Sequence, residues 1–292
     1  MKHAILGAGA VGGLIATPLA SFGEEVTKIV RAEKLAAYPE TLTLERPSET
    51  ITAPARTVSE LMEPVDVLWI ATRTFQLQTA LDSVKATAKM IVPLLNGVDH
   101  IAVLRARFGH DSVVPATIAV EVEHPSLGRF IQRSPGVRLN LAAGAEPVLG
   151  GIVARLREIG FTCEFIQNEQ TLLWSKLCFL APFALVTAAS GKNKGEIDAD
   201  PQWKAKLVSA IAEASAIAKA SGAEIDHAKL HALFHSFPPS ARSSMAKDVA
   251  AKRPLELDGI AGPILRGGQK YEIDVHTTVE LMQKIQSFAV TA

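Results

Sequence analysis

Cysteine is nearly missing from this chain: Cys163 and Cys178 are the only two in 292 residues. They have neither the number nor the spacing of a disulfide framework or a zinc site, which excludes a stapled secreted scaffold and fits a reducing, cytoplasmic compartment. An excess of either charge is lacking too, with 30 Lys and Arg against 30 Asp and Glu. No segment gathers basic residues, so nucleic acid and anionic membrane surfaces are not expected partners. The longest apolar run, Leu177 to Ala189, contains Pro182 and falls short of the roughly 20 residues a membrane span needs. The apolar start of MKHAILGAGAVGG is too short for a signal-peptide core. These absences leave a soluble protein of one large or two moderate domains.

What is present is an alternation. From Met1 to about Ile166, the β-branched runs HAILGAG, EVTKIVR, VDVLWIAT, MIVPLLNG and SVVPATIAV are separated by helical patterns. Near-continuous apolar strands interleaved with helices predict a parallel sheet covered by helices on both faces. Gly7, Gly9 and Gly12 spell G-x-G-x-x-G directly after the first strand, where the helical VGGLIATPLASFG begins. The first glycine permits a tight turn, the second lets the backbone approach a pyrophosphate, and the third lets helix and strand pack closely. Ala10 and Val11 open the helix, whose N–H groups point at the phosphates.

The end of the second strand distinguishes the nicotinamide cofactors. NAD sites normally place an acidic residue there for the ribose hydroxyls, whereas this chain has Arg31. A guanidinium suits a 2′-phosphate by charge and forked geometry, which favours NADPH; the alternative is a surface arginine paired with Glu33. Arg73 and Gln76 follow the third apolar strand, where ligands of such sheets collect. Asn96-Gly97 ends the next strand and is either a plain turn or an amide facing nicotinamide or substrate. The segment EVEHPSLGRFIQRSPGVRLNLAAG is expected to supply hairpin-like strands completing the sheet, with His124 a loop histidine beside Pro125.

After roughly Gln167 the periods become long and helical. A parallel nucleotide-binding domain followed by an all-helical one places a site in the cleft between them. In TLLWSKLCFLAPFALVTA, Trp174, Leu177 and Leu180 form a core stripe, and Lys176 lies off it. Ketone reduction needs a proton for the developing alkoxide, and a partly desolvated lysine has its pKa lowered toward the working range. A lysine that snorkels off the helix flank is the plainer alternative. Farther on, SSMAKDVAAKRPLELDGIAG presents Ser243, Ser244, Asp248, Glu256 and Asp258. Asp258 is expected to cap the following helix; Glu256, between leucines, is placed to take a substrate hydroxyl or to orient the lysine.

With GAGAVGG, Arg31, the Asn96-Gly97 pair, WSKL around Lys176 and SSMAKDVAAKRPLELDGIAG in place, the whole chain resembles the ketopantoate reductase family. The resemblance implies an α/β fold, with an N-terminal Rossmann-type dinucleotide-binding domain (residues 1–166) and an all-helical C-terminal substrate domain (167–292). It implies a cytoplasmic enzyme of pantothenate biosynthesis that reduces 2-dehydropantoate with NADPH. By the same resemblance Lys176 is catalytic, and Asn96, Ser244 and Glu256 bind substrate. Gly7, Gly9, Ala10, Val11, Gly12, Arg31, Arg73, Gln76 and Asn96 hold the cofactor, and no metal is expected. Leu180 and Ala184 depart from the pattern, since the family usually has asparagines there. That departure opens a second possibility, a less polar 2-oxo acid as substrate. A non-catalytic NADPH sensor is a third, and the apolar helical half leaves room for a homodimer.

Overall fold

Chain contacts in the computed structural model, which describes residues 1–289, separate two compact units. One is Met1–Leu95 with His100–Gln167; the other is Asn96–Asp99 with the chain from Asn168 onward. The expected division had left residues 96–99 with the first domain. They cluster with the second because Gly97 lies against the Gly259 backbone and Val98 packs on the helical core.

The first unit runs β1 (Lys2–Leu6), α1 (Ala10–Ser21), β2 (Glu25–Ile29), β3 (Thr41–Glu45), β4 (Thr50–Pro54), β5 (Arg56–Val58), β6 (Val65–Ile70), α2 (Leu77–Leu81), β7 (Ala88–Pro93) and α3 (His100–Phe108). It continues through β8 (Ala116–Ala119), β9 (Val122–Ser126), β10 (Arg129–Gln132), β11 (Val137–Ala142), α4 (Glu146–Glu158) and β12 (Phe161–Ile166). Strands β5-β2-β1-β6-β7 form the expected parallel sheet. Its middle strand, β1, is buried from His3 to Leu6, which is why HAIL reads as an unbroken apolar run. His3 fits there as a neutral ring: the Trp69 indole donates to its Nδ1 at 3.2 Å, and burial pulls its pKa down to about 4.

The segment from Glu121 to Gly144 does not complete this sheet. Strands β9 and β10 pair as a hairpin and join β3 and β4 in a separate sheet of order β4-β3-β10-β9. Strand β11 lies instead between β8 and β12. Helix α1 therefore has sheet rather than helix on its outer side, packing on β3, β4 and β10. Gly13 makes this possible. A Cβ there would sit 2.0 Å from the ring of Phe130, which has no exposed surface. His124, expected in a loop, is a strand residue of β9 stacked on that ring at 5.0 Å.

The second unit is built on α5 (Glu169–Ser190), surrounded by α6 (Lys194–Asp198), α7 (Pro201–Ala220), α8 (His227–Ser236), α9 (Ser244–Ala250), α10 (Leu257–Tyr271) and α11 (His276–Ala289). Asn168 caps α5 by accepting from the Thr171 N–H at 2.9 Å, and Gly191, at φ 71°, ends it. These caps extend the helix beyond the apolar run to 22 residues, so by length and composition it is able to cross a membrane, contrary to expectation. Its apolar window is 78% buried inside the protein, the mark of a core helix. Glu213 of α7 is a buried carboxylate with a full complement of donors: Thr277 N at 2.8 Å, Thr278 N at 2.9 Å and Thr278 Oγ1 at 2.7 Å. Its charge sits at the positive end of α11.

Alanine at two helical glycines is expected to act with opposite signs. Gly13→Ala lowers unfolding free energy by about 1–3 kcal/mol through overpacking against Phe130. Gly150→Ala in α4, where a Cβ meets nothing within 4 Å, raises it by up to about 1 kcal/mol through helix propensity. Urea denaturation of both variants checks the pair.

Candidate functional site

In the first unit the glycine turn shows its three demands separately. Gly7 has φ 93°, and a Cβ there would lie 2.9 Å from the Ala71 backbone. At Gly12 a Cβ would be 2.1 Å from the Gly7 carbonyl oxygen, so only glycine lets α1 pack down on the turn. At Gly9, the N-cap of α1, a Cβ would meet nothing within 4 Å. The backbone thus faces open space at the helix end, where the first N–H groups, including those of Ala10 and Val11, have no intrahelical partner. No acidic residue occupies the first turn to satisfy them. Beside Gly7, the Thr72 hydroxyl oxygen is buried with no protein partner. Open space, free donors and an unpaired hydroxyl fit a pyrophosphate ligand.

Arg31 follows β2 and pairs with Glu33 at 3.2 Å, both side chains being about two-thirds exposed. A pair so exposed to water is held weakly. Arg73 stands just before the short 3₁₀ turn Thr74–Gln76, in the stretch that follows β6, and Gln76 is exposed at its end. The sequence reading passed over Thr72. A threonine after a strand carries no signal of its own, and only its unpaired burial next to Gly7 marks it.

In the second unit three expected residues come together. Lys176 Nζ on α5 donates to Asn96 Oδ1 at 2.9 Å, and Asn96 Nδ2 donates to Glu256 Oε2 at 3.2 Å. Gly97 turns at φ 83°, as Asn-Gly predicts, and the Asn96 amide bridges lysine and glutamate, a pairing the sequence did not foretell. The turn is pinned on both sides. A Cβ at Gly97 would be 2.0 Å from the Gly259 carbonyl oxygen, and Arg266 on α10 donates to Asp99 at 2.9 Å. Arg266 also binds Asp258 at 2.8 Å. Asp258 is therefore not the cap of α10. Glu256 occupies the N-cap position, with its side chain directed elsewhere, and is 6% exposed. Burial lowers the Lys176 pKa to about 8 against the opposing pull of Glu256.

Ser244 is outside this chain of bonds. It is exposed at the start of α9, while its neighbour Ser243 is the buried cap, accepting from the Ala246 N–H at 3.0 Å and sharing a 2.6 Å hydrogen bond with Thr187. The two positions beyond the lysine on α5 are apolar in their surroundings as well as in kind. Leu180 packs on the helical core, and Ala184 has no exposed surface. Phe179 and Phe183 lie three and seven residues after Lys176, on its side of the helix. The Phe179 ring meets those of Phe234 and Phe237 at 4.6 and 4.9 Å.

A glycine turn that fits a pyrophosphate on an α/β unit, and a lysine of lowered pKa on a helical one, are features a nicotinamide-dependent oxidoreductase would carry. Residues 3–146 match the model of the ketopantoate reductase PanE/ApbA family, and residues 168–289 match that of its C-terminal domain. The chain belongs to the ketopantoate reductase family, whose members are NADPH-dependent enzymes. The 2-dehydropantoate 2-reductase of Caulobacter vibrioides is 28% identical over 92% of this chain and 93% of its own. A PanE/ApbA family ketopantoate reductase from Ralstonia eutropha superposes with a TM-score of 0.88 at 25% identity, covering 100% and 99% of the two chains. A D-mandelate dehydrogenase solved with NADH and anilino(oxo)acetate shares the fold at a TM-score of 0.84 and 21% identity, over 100% and 99%.

Because Glu256 holds the lysine's proton on, Glu256→Gln is expected to move the Lys176 pKa further down, below about 8. NMR titration of labelled lysine side chains reads this directly. An unchanged or raised value would show that the carboxylate does not act on the amine.

Proposed function

We propose that this enzyme reduces a 2-oxo acid to the 2-hydroxy acid with NADPH, and that 2-dehydropantoate is its first substrate, giving pantoate. The observation that carries the reading is the Lys176–Asn96–Glu256 chain, an amine aimed by an amide acceptor and tuned to about 8. Bound NADPH would supply the hydride that the ketone carbon takes up. Lys176 gives its proton to the developing alkoxide, and an acid with a pKa near the working pH does this efficiently. Asn96 holds the amine in direction. Glu256, which accepts from Asn96 through Oε2, takes a substrate hydroxyl on this reading, and its charge favours the protonated form of Lys176. Ser244 offers an exposed hydroxyl to the substrate carboxylate.

On the cofactor side, Gly7, Gly9, Ala10, Val11 and Gly12 hold the pyrophosphate. Arg31 exchanges Glu33 for the 2′-phosphate, while Arg73 and Gln76 flank the dinucleotide beyond β6. Residues 1–166, apart from the 96–99 turn, thus serve the cofactor and 167–292 the substrate. Both cysteines are buried free thiols, which supports a cytoplasmic setting. The same reading carries a homodimer, the assembly named for the Staphylococcus aureus ketopantoate reductase, which shares the fold at a TM-score of 0.76 and 17% identity.

One observation favours a second substrate class. Leu180 stands where a family asparagine would offer a hydrogen bond, and Phe179 stacks on Phe183 beside it at 5.7 Å, so on this reading the substrate would meet an apolar wall. A 2-oxo acid with a bulky apolar side chain fits such a wall better than one with a hydroxyl.

Lys176→Ala is expected to lower kcat by about 100- to 10,000-fold while the NADPH dissociation constant stays within about twofold; an active variant would sink the assignment. In the wild type, kcat/KM is flat below about pH 8 and falls above it, because the amine must carry its proton to act as an acid. Steady-state rates across 2-oxo acids decide the substrate: 2-dehydropantoate leading supports the first reading, and an aryl or branched apolar acid leading supports the second.

A further inference from the structure

A second lysine in the molecule is more deeply buried than Lys176, and the proposed chemistry leaves it idle. Lys28, on β2 of the first unit, has no exposed surface. Its Nζ donates to the Pro39 carbonyl at 2.9 Å and lies 4.8 Å from the centre of the Tyr38 ring. Tyr38 is itself buried, and its hydroxyl donates to the carbonyl of Ala8 at 2.7 Å. Burial pulls the Lys28 pKa down to about 8, so its charge is held at an electrostatic cost, and pushes that of Tyr38 up to about 12, so its hydroxyl keeps the proton it donates.

Methionine and phenylalanine would fill the same space without that cost. What they would not do is hold the Ala8 carbonyl. Ala8 stands between Gly7 and Gly9, and the peptide joining Ala8 to Gly9 is planar and trans, so its C=O and N–H point in opposite directions. A hydroxyl that fixes the Ala8 carbonyl on the Tyr38 side therefore fixes the Gly9 N–H on the other. A turn between two glycines has little stiffness of its own, since glycine tolerates a wide range of backbone angles.

We propose that Tyr38, seated by Lys28, is a positioning residue for the dinucleotide: it locks the Ala8–Gly9 peptide plane so that the Gly9 N–H is presented to the pyrophosphate. The proposal rests on the reading of the glycine turn as the cofactor site. It differs from the role proposed for Arg31. The pyrophosphate is common to NADPH and NADH, whereas the 2′-phosphate belongs to NADPH alone.

Fluorescence titration with each dinucleotide tests it. Tyr38→Phe is expected to raise the dissociation constants of NADPH and NADH by the same factor, about fivefold for one lost hydrogen bond. At saturating NADPH, kcat stays within about twofold of wild type. Lys28→Met, which keeps the bulk but frees the tyrosine, shifts both constants in the same direction and serves should Tyr38→Phe fold poorly. Gly9→Glu, measured alongside, places a carboxylate in the open space and is expected to abolish binding. If Gly9→Glu abolishes binding while Tyr38→Phe and Lys28→Met leave it unchanged, the strut is refuted and the cofactor site stands. A loss confined to NADPH, or a fall in kcat with binding intact, also overturns the proposal. If Gly9→Glu binds normally, the cofactor reading itself has failed and the strut falls with it.

Discussion

An ammonium ion half-withdrawn from water is the constraint around which the second unit is arranged. Desolvation of Lys176 favours loss of its proton, and the Glu256 carboxylate favours keeping it; the balance falls near 8, where both forms are accessible at neutral to mildly alkaline pH. Asn96 bridges the two groups, accepting from the lysine and donating to the glutamate. A direct ion pair would stabilise the charged amine more and hold the proton more firmly. An amide bridge gives direction with less electrostatic hold, which suits a group proposed to give its proton away.

That bridge sets requirements elsewhere. Asn96 reaches the lysine only if the 96–99 turn belongs to the helical unit, and the chain meets this with a glycine on each side of a close backbone approach, Gly97 and Gly259. The Arg266 clamp on Asp99 and Asp258 adds little energy, being exposed to water. Its effect is positional: it ties the turn to α10, at whose N-terminus Glu256 sits. In the first unit the same device recurs with different partners. A turn of glycines has its shape imposed by side chains from outside it, Phe130 filling the groove at Gly13 and Tyr38 holding the Ala8 carbonyl.

Local pattern carried much of this. The parallel strands, the tight turn at Gly7 and the close packing at Gly12 were legible, since strand periodicity and turn chemistry are written in neighbouring residues; that Asn96 bridges Lys176 and Glu256 was not. What was not legible depended on partners far along the chain. Nothing near Glu121 tells a strand whether to join β7 or β3; that choice is made by the outer face of α1, which takes up Phe130. Asp258 has the composition of a cap, but an arginine two turns on competes for it. Ser244 and Ser243 are adjacent and chemically alike, and only packing against Thr187 decides which is buried. Glu213, Lys28 and Tyr38 gave no sequence signal, because a buried polar side chain looks like any other until its donor or acceptor is known.

The apolar positions after Lys176 bear on specificity through an asymmetry in what such sites reject. A pocket that hydrogen-bonds a substrate group discriminates strongly against analogues lacking it, because the protein's own polar atoms are left buried and unpaired. An apolar lining leaves no such debt, and a missing methylene changes binding by only about 1–3 kcal/mol. On the proposed chemistry, Asn96 and Glu256 keep the demanding side of the site, where the ketone and any nearby hydroxyl lie. On the same proposal, Leu180 and the phenylalanines would loosen the other. If the proposed chemistry holds, apolar residues in place of the family's asparagines would not redirect the enzyme to one new acid so much as remove a penalty that excludes several.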